Sequence, residues 1–133
     1  MLKLGLPDPH CTPGVVDPAI TQDNIHQTIC VSGWTSTVRP PVSYTEPLKL
    51  QQIKLYGYTD TNPADYEEDH FIPLELGGHP TDQQNLWPEP AKISNGFYQK
   101  DLVENKLHSE VCSGQISLHD AQVEIITNWT TAK

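Results

Sequence analysis

Tyr66-Glu67-Glu68-Asp69-His70-Phe71-Ile72-Pro73-Leu74-Glu75-Leu76-Gly77-Gly78, followed by Asn85-Leu86-Trp87-Pro88, is the stretch whose reading decides the fold. Tyr66 to Ile72 reads as a strand, and the Pro73 to Gly78 run reads as a turn. Asn85 stands fifteen residues after His70, and Asn85 to Trp87 reads as a short return strand that Pro88 ends. A helix then starts at Ser94 or Asn95 and ends near Cys112-Ser113-Gly114. Strand, loop, strand and helix, in that order, can set a base and a metal ligand against one phosphate.

Phosphodiester hydrolysis needs a base for the attacking water, positive charge on the phosphoryl and leaving oxygens, and in-line positioning. An imidazole titrating near neutrality suits the first task, which makes His70 the candidate base. A divalent cation on oxygen or nitrogen ligands suits the second, which makes Asp69 the candidate ligand. Neighbours on a regular strand point to opposite faces, so both serve one site only where the strand ends or bulges. Pro73 fits such an ending. The Asn85 amide both donates and accepts, so it can tie down the long 73–84 loop. A further ligand is expected from the following helix, among Asn95, Asp101, Glu104 and His108. The last three share one helical face, which also reads as an ordinary solvated face. Asn95 reads equally as a helix cap.

Around this centre the chain is irregular before residue 20. Thr21 opens a short helix to about Thr28, and Cys30 to Tyr44 reads as extended and irregular. Thr45 caps a helix from Glu46 to about Tyr56, with Pro47 in its first turn and Gly57 as its stop. Residues 58–65 form a polar loop. Ser117 and Asp120 form a variant capping box for a last helix, which ends near Trp129 and buries Ala121, Ile125 and Trp129. The class is α+β in a single domain, with 66–112 as its core.

The 133 residues suit one domain, and 36% hydrophobic with 19% charged residues marks a globular chain. No stretch approaches the ~20 apolar residues of a membrane helix. Seventeen acidic against eight basic residues give a net charge of −9. That excludes broad, charge-driven nucleic-acid binding, but not a site that touches a few phosphates through a metal. It also leaves room for a protein partner at the acidic surface. Arg39 and Lys100 are the candidate phosphate contacts. Cys11, Cys30 and Cys112 contain no Cys-x-x-Cys pair, which argues against a zinc knuckle. Cys30 and Cys112 each lie near a helix end, and read either as a loop-closing disulfide or as buried thiols. Asn128-Trp129-Thr130 fits a glycosylation sequon.

Asp69-His70, Asn85 and Asn95 resemble the three motifs of the HNH endonuclease family, whose fold is called ββα-metal. Glu68 to Gly78, Asn85 to Glu89, Lys100-Asp101, Glu104, Leu107-His108 and Val111 to Gly114 are similar to a group of small bacterial HNH-like proteins. Thr28-Ile29-Cys30, Gly33-Trp34 and Val38-Arg39-Pro40 extend the likeness to roughly residues 7–130. The resemblance implies a ββα hairpin-plus-helix core with flanking helices. It implies His70 as the water-activating base, Asp69 and Asn95 as ligands of one divalent ion, and Asn85 as the residue that orients the hairpin. Asp101 and His108 are the alternates to Asn95. The ion expected is Mg²⁺, with Mn²⁺, Ni²⁺ or Zn²⁺ as alternatives, and the substrate is DNA rather than RNA. Many of the group are exported, so a secreted or periplasmic location is expected, through a segment not in this chain; a cytoplasmic location stays open. The alternatives carried forward are a non-catalytic ββα scaffold that binds a protein or cell-surface partner, and an exported toxin-like nuclease.

Overall fold

The computed structural model describes the backbone of residues 7–90 and 97–128, and the side chains of 7–90 and 101–127. Among these residues the chain is mixed α+β, with one two-stranded antiparallel sheet. The elements run α1 (Trp34–Val38), α2 (Val42–Leu55), β1 (Tyr66–His70), β2 (Leu86–Pro90), α3 (Phe97–Cys112) and α4 (Leu118–Asn128), joined by 3₁₀ turns. The expected helix start at Ser94 or Asn95, the Trp129 end of the last helix and most of the sequon lie outside the described residues.

Four expectations are corrected. The Cys30–Tyr44 segment is not extended: it holds α1 and the first turn of α2. Its β-favouring residues are overridden because Gly33 takes a left-handed φ of 79° and turns the chain into α1. Helix α2 starts at Val42 rather than Glu46, after an extended Pro41, and Pro47 sits inside it. Strand β1 stops at His70, since the chain bends at Phe71 and Ile72. Strand β2 begins after Asn85 and continues through Pro88 to Pro90.

Register explains why two prolines are tolerated. Leu86, Pro88 and Pro90 pair with His70, Glu68 and Tyr66, so the three share one parity, with backbone groups turned away from β1. The Leu86 carbonyl instead accepts from Gln52 Nε2 at 2.7 Å and Thr12 Oγ1 at 3.2 Å. By the same parity the backbone groups of Tyr66, Glu68 and His70 face the outer edge of β1. Accordingly, the Tyr66 carbonyl accepts from Lys49 Nζ of α2 at 3.3 Å. Helix α2 thus covers both strands, while α3 packs on the Leu74–Leu76 turn and on α4.

Asn85 locks the connection between the strands. It is fully buried. Its Oδ1 accepts from the Ile72 and Val15 amides at 2.9 and 3.2 Å, and its Nδ2 donates to the Ile72 and His79 carbonyls at 3.0 Å each. Gly78 must be glycine here, because a Cβ would collide with the Ile72 carbonyl. The irregular N-terminal segment is stitched to the same loop, through Gly14 N–H to the Gln84 carbonyl and His79 N–H to the Val15 carbonyl. Ile53, Leu76, Leu86, Trp87, Leu107, Val111, Ala121 and Ile125 are almost wholly buried. A Cys30–Cys112 disulfide ties the segment before α1 to the end of α3 across 82 residues of chain. By loop-closure entropy a bridge of that span contributes about 4.5 kcal/mol.

Replacing Asn85 with Ala strands two N–H groups, the Ile72 one buried and the Val15 one partly so, and two carbonyls at once. Each such loss costs roughly 1–3 kcal/mol. Urea unfolding of Asn85→Ala is expected to show a loss of about 3 kcal/mol or more, whereas exposed Gln83→Ala stays near wild type.

Candidate functional site

A cleft of about 440 Å³ opens along the outer edge of β1. Thr35 and Arg39, from α1 and its end, form one wall with Pro40, Val42 and Thr45 at the start of α2. Glu67, Glu68, Asp69 and His70 of β1 form the floor. Pro73, Leu74 and Glu75, then Asp101, Glu104 and Asn105 of α3, close the far side. No described β2 residue lines it, because β2 occupies the opposite edge of β1.

This edge position lets adjacent residues of opposite faces reach one space. His70 ends the strand, and the Asp69 carboxylate curls around the edge, with Oδ1 2.9 Å from the His70 amide. His70 is largely buried. Its Nε2 lies 2.9 Å from the Pro80 carbonyl. A carbonyl only accepts, so Nε2 carries the proton and Nδ1 is the basic nitrogen of the neutral ring. Pro80 follows His79, whose carbonyl is held by Asn85. Asn85 therefore orients the His70 ring through the loop and does not itself line the cleft.

Among the described lining residues, acids outnumber bases. Six carboxylates (Glu67, Glu68, Asp69, Glu75, Asp101 and Glu104) face the cleft, and Arg39 is the one Lys or Arg among its described lining residues. Burial pushes the Glu67 carboxyl above its ordinary range, and Asp69 and Asp101 push it the same way against the pull of Lys49. Burial, with repulsion from Asp69 and Glu46 and opposed by Lys49, pushes Glu68 up to about 8. Both Glu68 carboxyl oxygens are shielded from solvent and have no hydrogen-bond partner. A buried carboxylate in that state is costly, and retaining the proton relieves the cost.

Of the residues singled out from sequence, the cleft unites Asp69, His70, Asp101, Glu104 and Arg39. His108 lies behind its wall, with Nδ1 4.0 Å from Glu75 Oε2 and Nε2 2.7 Å from the Ile29 carbonyl. Asn95 and the Lys100 side chain lie outside the described residues. Sequence reasoning missed Glu68 and Glu75. The available signal for Glu68 was three consecutive acids, Glu67-Glu68-Asp69, inside a strand, where alternation must turn at least one inward. Set against known proteins, the chain matches no family model, no curated protein and no solved structure, so its own geometry carries the reading.

Glu68 supplies a pH-dependent test. Its folded pKa exceeds the ordinary glutamate value of 4.5, so the folded chain holds more protons than the unfolded one between 4.5 and about 8. Its contribution to stability is therefore present below that window and is lost as pH rises through it. In EDTA, Glu68→Gln is expected to melt several degrees above wild type at pH 8, and the gap to narrow toward pH 4.5. A gap independent of pH contradicts the assignment.

Proposed function

We propose that the chain is a metal-dependent HNH-type endonuclease that hydrolyses phosphodiester bonds in DNA. The observation that carries this reading is the shared cleft of His70, its proton held on Nε2, and the Asp69 carboxylate. The likeness of Asp69-His70 and Asn85 to HNH motifs supports it. So does the order of β1, β2 and α3, which follows that of a ββα core.

The donor set fits a hard cation. The cleft offers carboxylate oxygens, which suit Mg²⁺ or Mn²⁺ better than a thiophilic ion. Asp69 with Asp101 or Glu104 would hold the ion. When bound, it neutralises charge on the phosphoryl and leaving oxygens. The chain's own residues do the rest. His70 Nδ1 takes the proton of the attacking water, while the Pro80 carbonyl steadies the imidazolium through Nε2–H. Asp69, held against the His70 amide, keeps carboxylate and base at one end of the strand. Arg39, at the exposed wall, meets a neighbouring phosphate. Without a cation the acid-rich cleft disfavours a phosphodiester, so the proposed catalysis is metal-dependent.

The −9 charge and the single arginine among the described lining residues favour a second reading, a cation-dependent binding protein without catalysis. The disulfide fits an oxidising compartment outside the cytoplasm, and no helix among the described residues is long and apolar enough to cross a membrane.

Plasmid cleavage separates these readings. Wild type with Mg²⁺ or Mn²⁺ is expected to nick plasmid DNA, EDTA to stop it, and His70→Ala to lower the rate at least 100-fold with unchanged circular dichroism. Full metal-dependent cleavage by a folded His70→Ala protein removes His70 from the chemistry. No cleavage by wild type with any divalent ion leaves the binding reading.

A further inference from the structure

We propose that the Cys30–Cys112 disulfide is the closed form of a metal site: on reduction, the two cysteine sulfurs and His108 Nε2 take one thiophilic dication of the zinc type.

Cys30, His108 and Cys112 each offer one ligand atom, and these atoms all lie within 4.8 Å of one another. His108 and Cys112 are four residues apart on α3 and share a face. Cys112 Sγ is 3.6 Å from His108 Nε2. Zinc–sulfur bonds of about 2.3 Å and zinc–nitrogen bonds of about 2.0 Å put tetrahedral ligands roughly 3.5 Å apart, so one ion spans this nitrogen and sulfur once the Ile29 carbonyl, 2.7 Å from the same nitrogen, moves aside. The sulfurs, bonded at 2.08 Å, must separate, and rotation of two side chains on Cα atoms 5.8 Å apart supplies that once the bond is cleaved.

Two features close the site in the oxidised chain. The sulfurs are bonded to each other rather than present as thiolates. His108 Nε2 carries its proton, since it lies 2.7 Å from the Ile29 carbonyl, which only accepts. A third feature prepares the open form. On metal binding the ring proton belongs on Nδ1, and Glu75 Oε2 lies 4.0 Å from that atom. A carboxylate behind the second nitrogen is the arrangement that orients and strengthens a zinc-bound imidazole.

The chemistry balances with a dithiol as reductant. The Cys30–Cys112 bond breaks, two electrons and two protons pass to the sulfurs, and the dithiol is oxidised to its own disulfide. The cation then displaces both thiol protons to water, and the imidazole proton moves through solvent from Nε2 to Nδ1. The covalent tie between the segment before α1 and the end of α3 is thereby replaced by a coordinate one, so the same two segments stay joined in reducing surroundings. This site uses sulfur and imidazole, whereas the cleft uses carboxylate oxygen, and it does not depend on the nuclease reading.

The test uses the full chain in a Cys11→Ser background, oxidised or phosphine-reduced under argon, titrated with Co²⁺ and then with Zn²⁺. The reduced chain is expected to bind one Co²⁺ with a sulfur-to-cobalt charge-transfer band, which Zn²⁺ abolishes, and the oxidised chain to show none. His108→Ala and Glu75→Gln are each expected to weaken reduced-state affinity at least tenfold. No charge-transfer band in the reduced chain, or wild-type affinity in His108→Ala, overturns the proposal. Should the reduced chain lose its fold, Zn²⁺ must restore its circular dichroism, and failure to do so overturns the proposal as well. A cation in the cleft gives no sulfur band, so the result is read independently of DNA cleavage.

Discussion

The side-chain amide of Asn85 is the constraint on which the rest of the structure hangs. One buried group satisfies backbone atoms at Val15, Ile72 and His79. It therefore joins the N-terminal segment, the end of β1 and the long connection at a single point. Such a connection has no ladder of its own, and its buried N–H and C=O groups must find partners elsewhere. Asn suits the position because its amide donates and accepts in one plane; a leucine of similar size would leave all four groups unsatisfied. The Pro80 carbonyl is held in place by this lock, and through it the His70 ring and its tautomer are set.

A second consequence follows from β1 being an edge strand. The groups of Tyr66, Glu68 and His70 that a third strand would pair are turned to the outer side, where α2 takes the Tyr66 carbonyl and the cleft begins. The chain concentrates acids on this edge, and burial then raises Glu67 and Glu68 toward the protonated form. Such a strand is poor at holding the sheet together. The stability given up at β1 is offset elsewhere, by the apolar cluster around Leu76, Trp87, Leu107 and Ile125 and by the disulfide.

Much of this was legible from residue order. The spacing of His70 and Asn85, the α+β class, the loop-tying amide, the Ser117-capped last helix with Ala121 and Ile125 buried, and one of two readings of the cysteines were all in the sequence. Local signals misled where tertiary context outweighed them. Trp34, Thr35, Thr37 and Val38 have β preference, yet Gly33 and the proline pair impose a helical turn. Pro88 reads as a stop, yet parity places its nitrogen where no hydrogen bond is needed. Helical periodicity put Asp101, Glu104 and His108 on one face, but it does not report which part of that face meets the cleft. The first two line it, and His108 turns toward the Ile29 carbonyl and the disulfide. Nor does any local pattern show that Glu68 is shut away from partners, because that depends on α2 folding over it.

The central claim is that a divalent cation sits beside His70 on the carboxylates of the cleft. Titration with Mn²⁺, followed by the NMR ring signals of the histidines, tests it most directly, because paramagnetic broadening falls steeply with distance. The His70 ring signals are expected to broaden first, at substoichiometric Mn²⁺, while exposed His10, His26 and His119 stay sharp, and Asp69→Asn should abolish that selectivity. Uniform broadening of all six histidines, or a sharp His70 at one equivalent of Mn²⁺, would contradict the account.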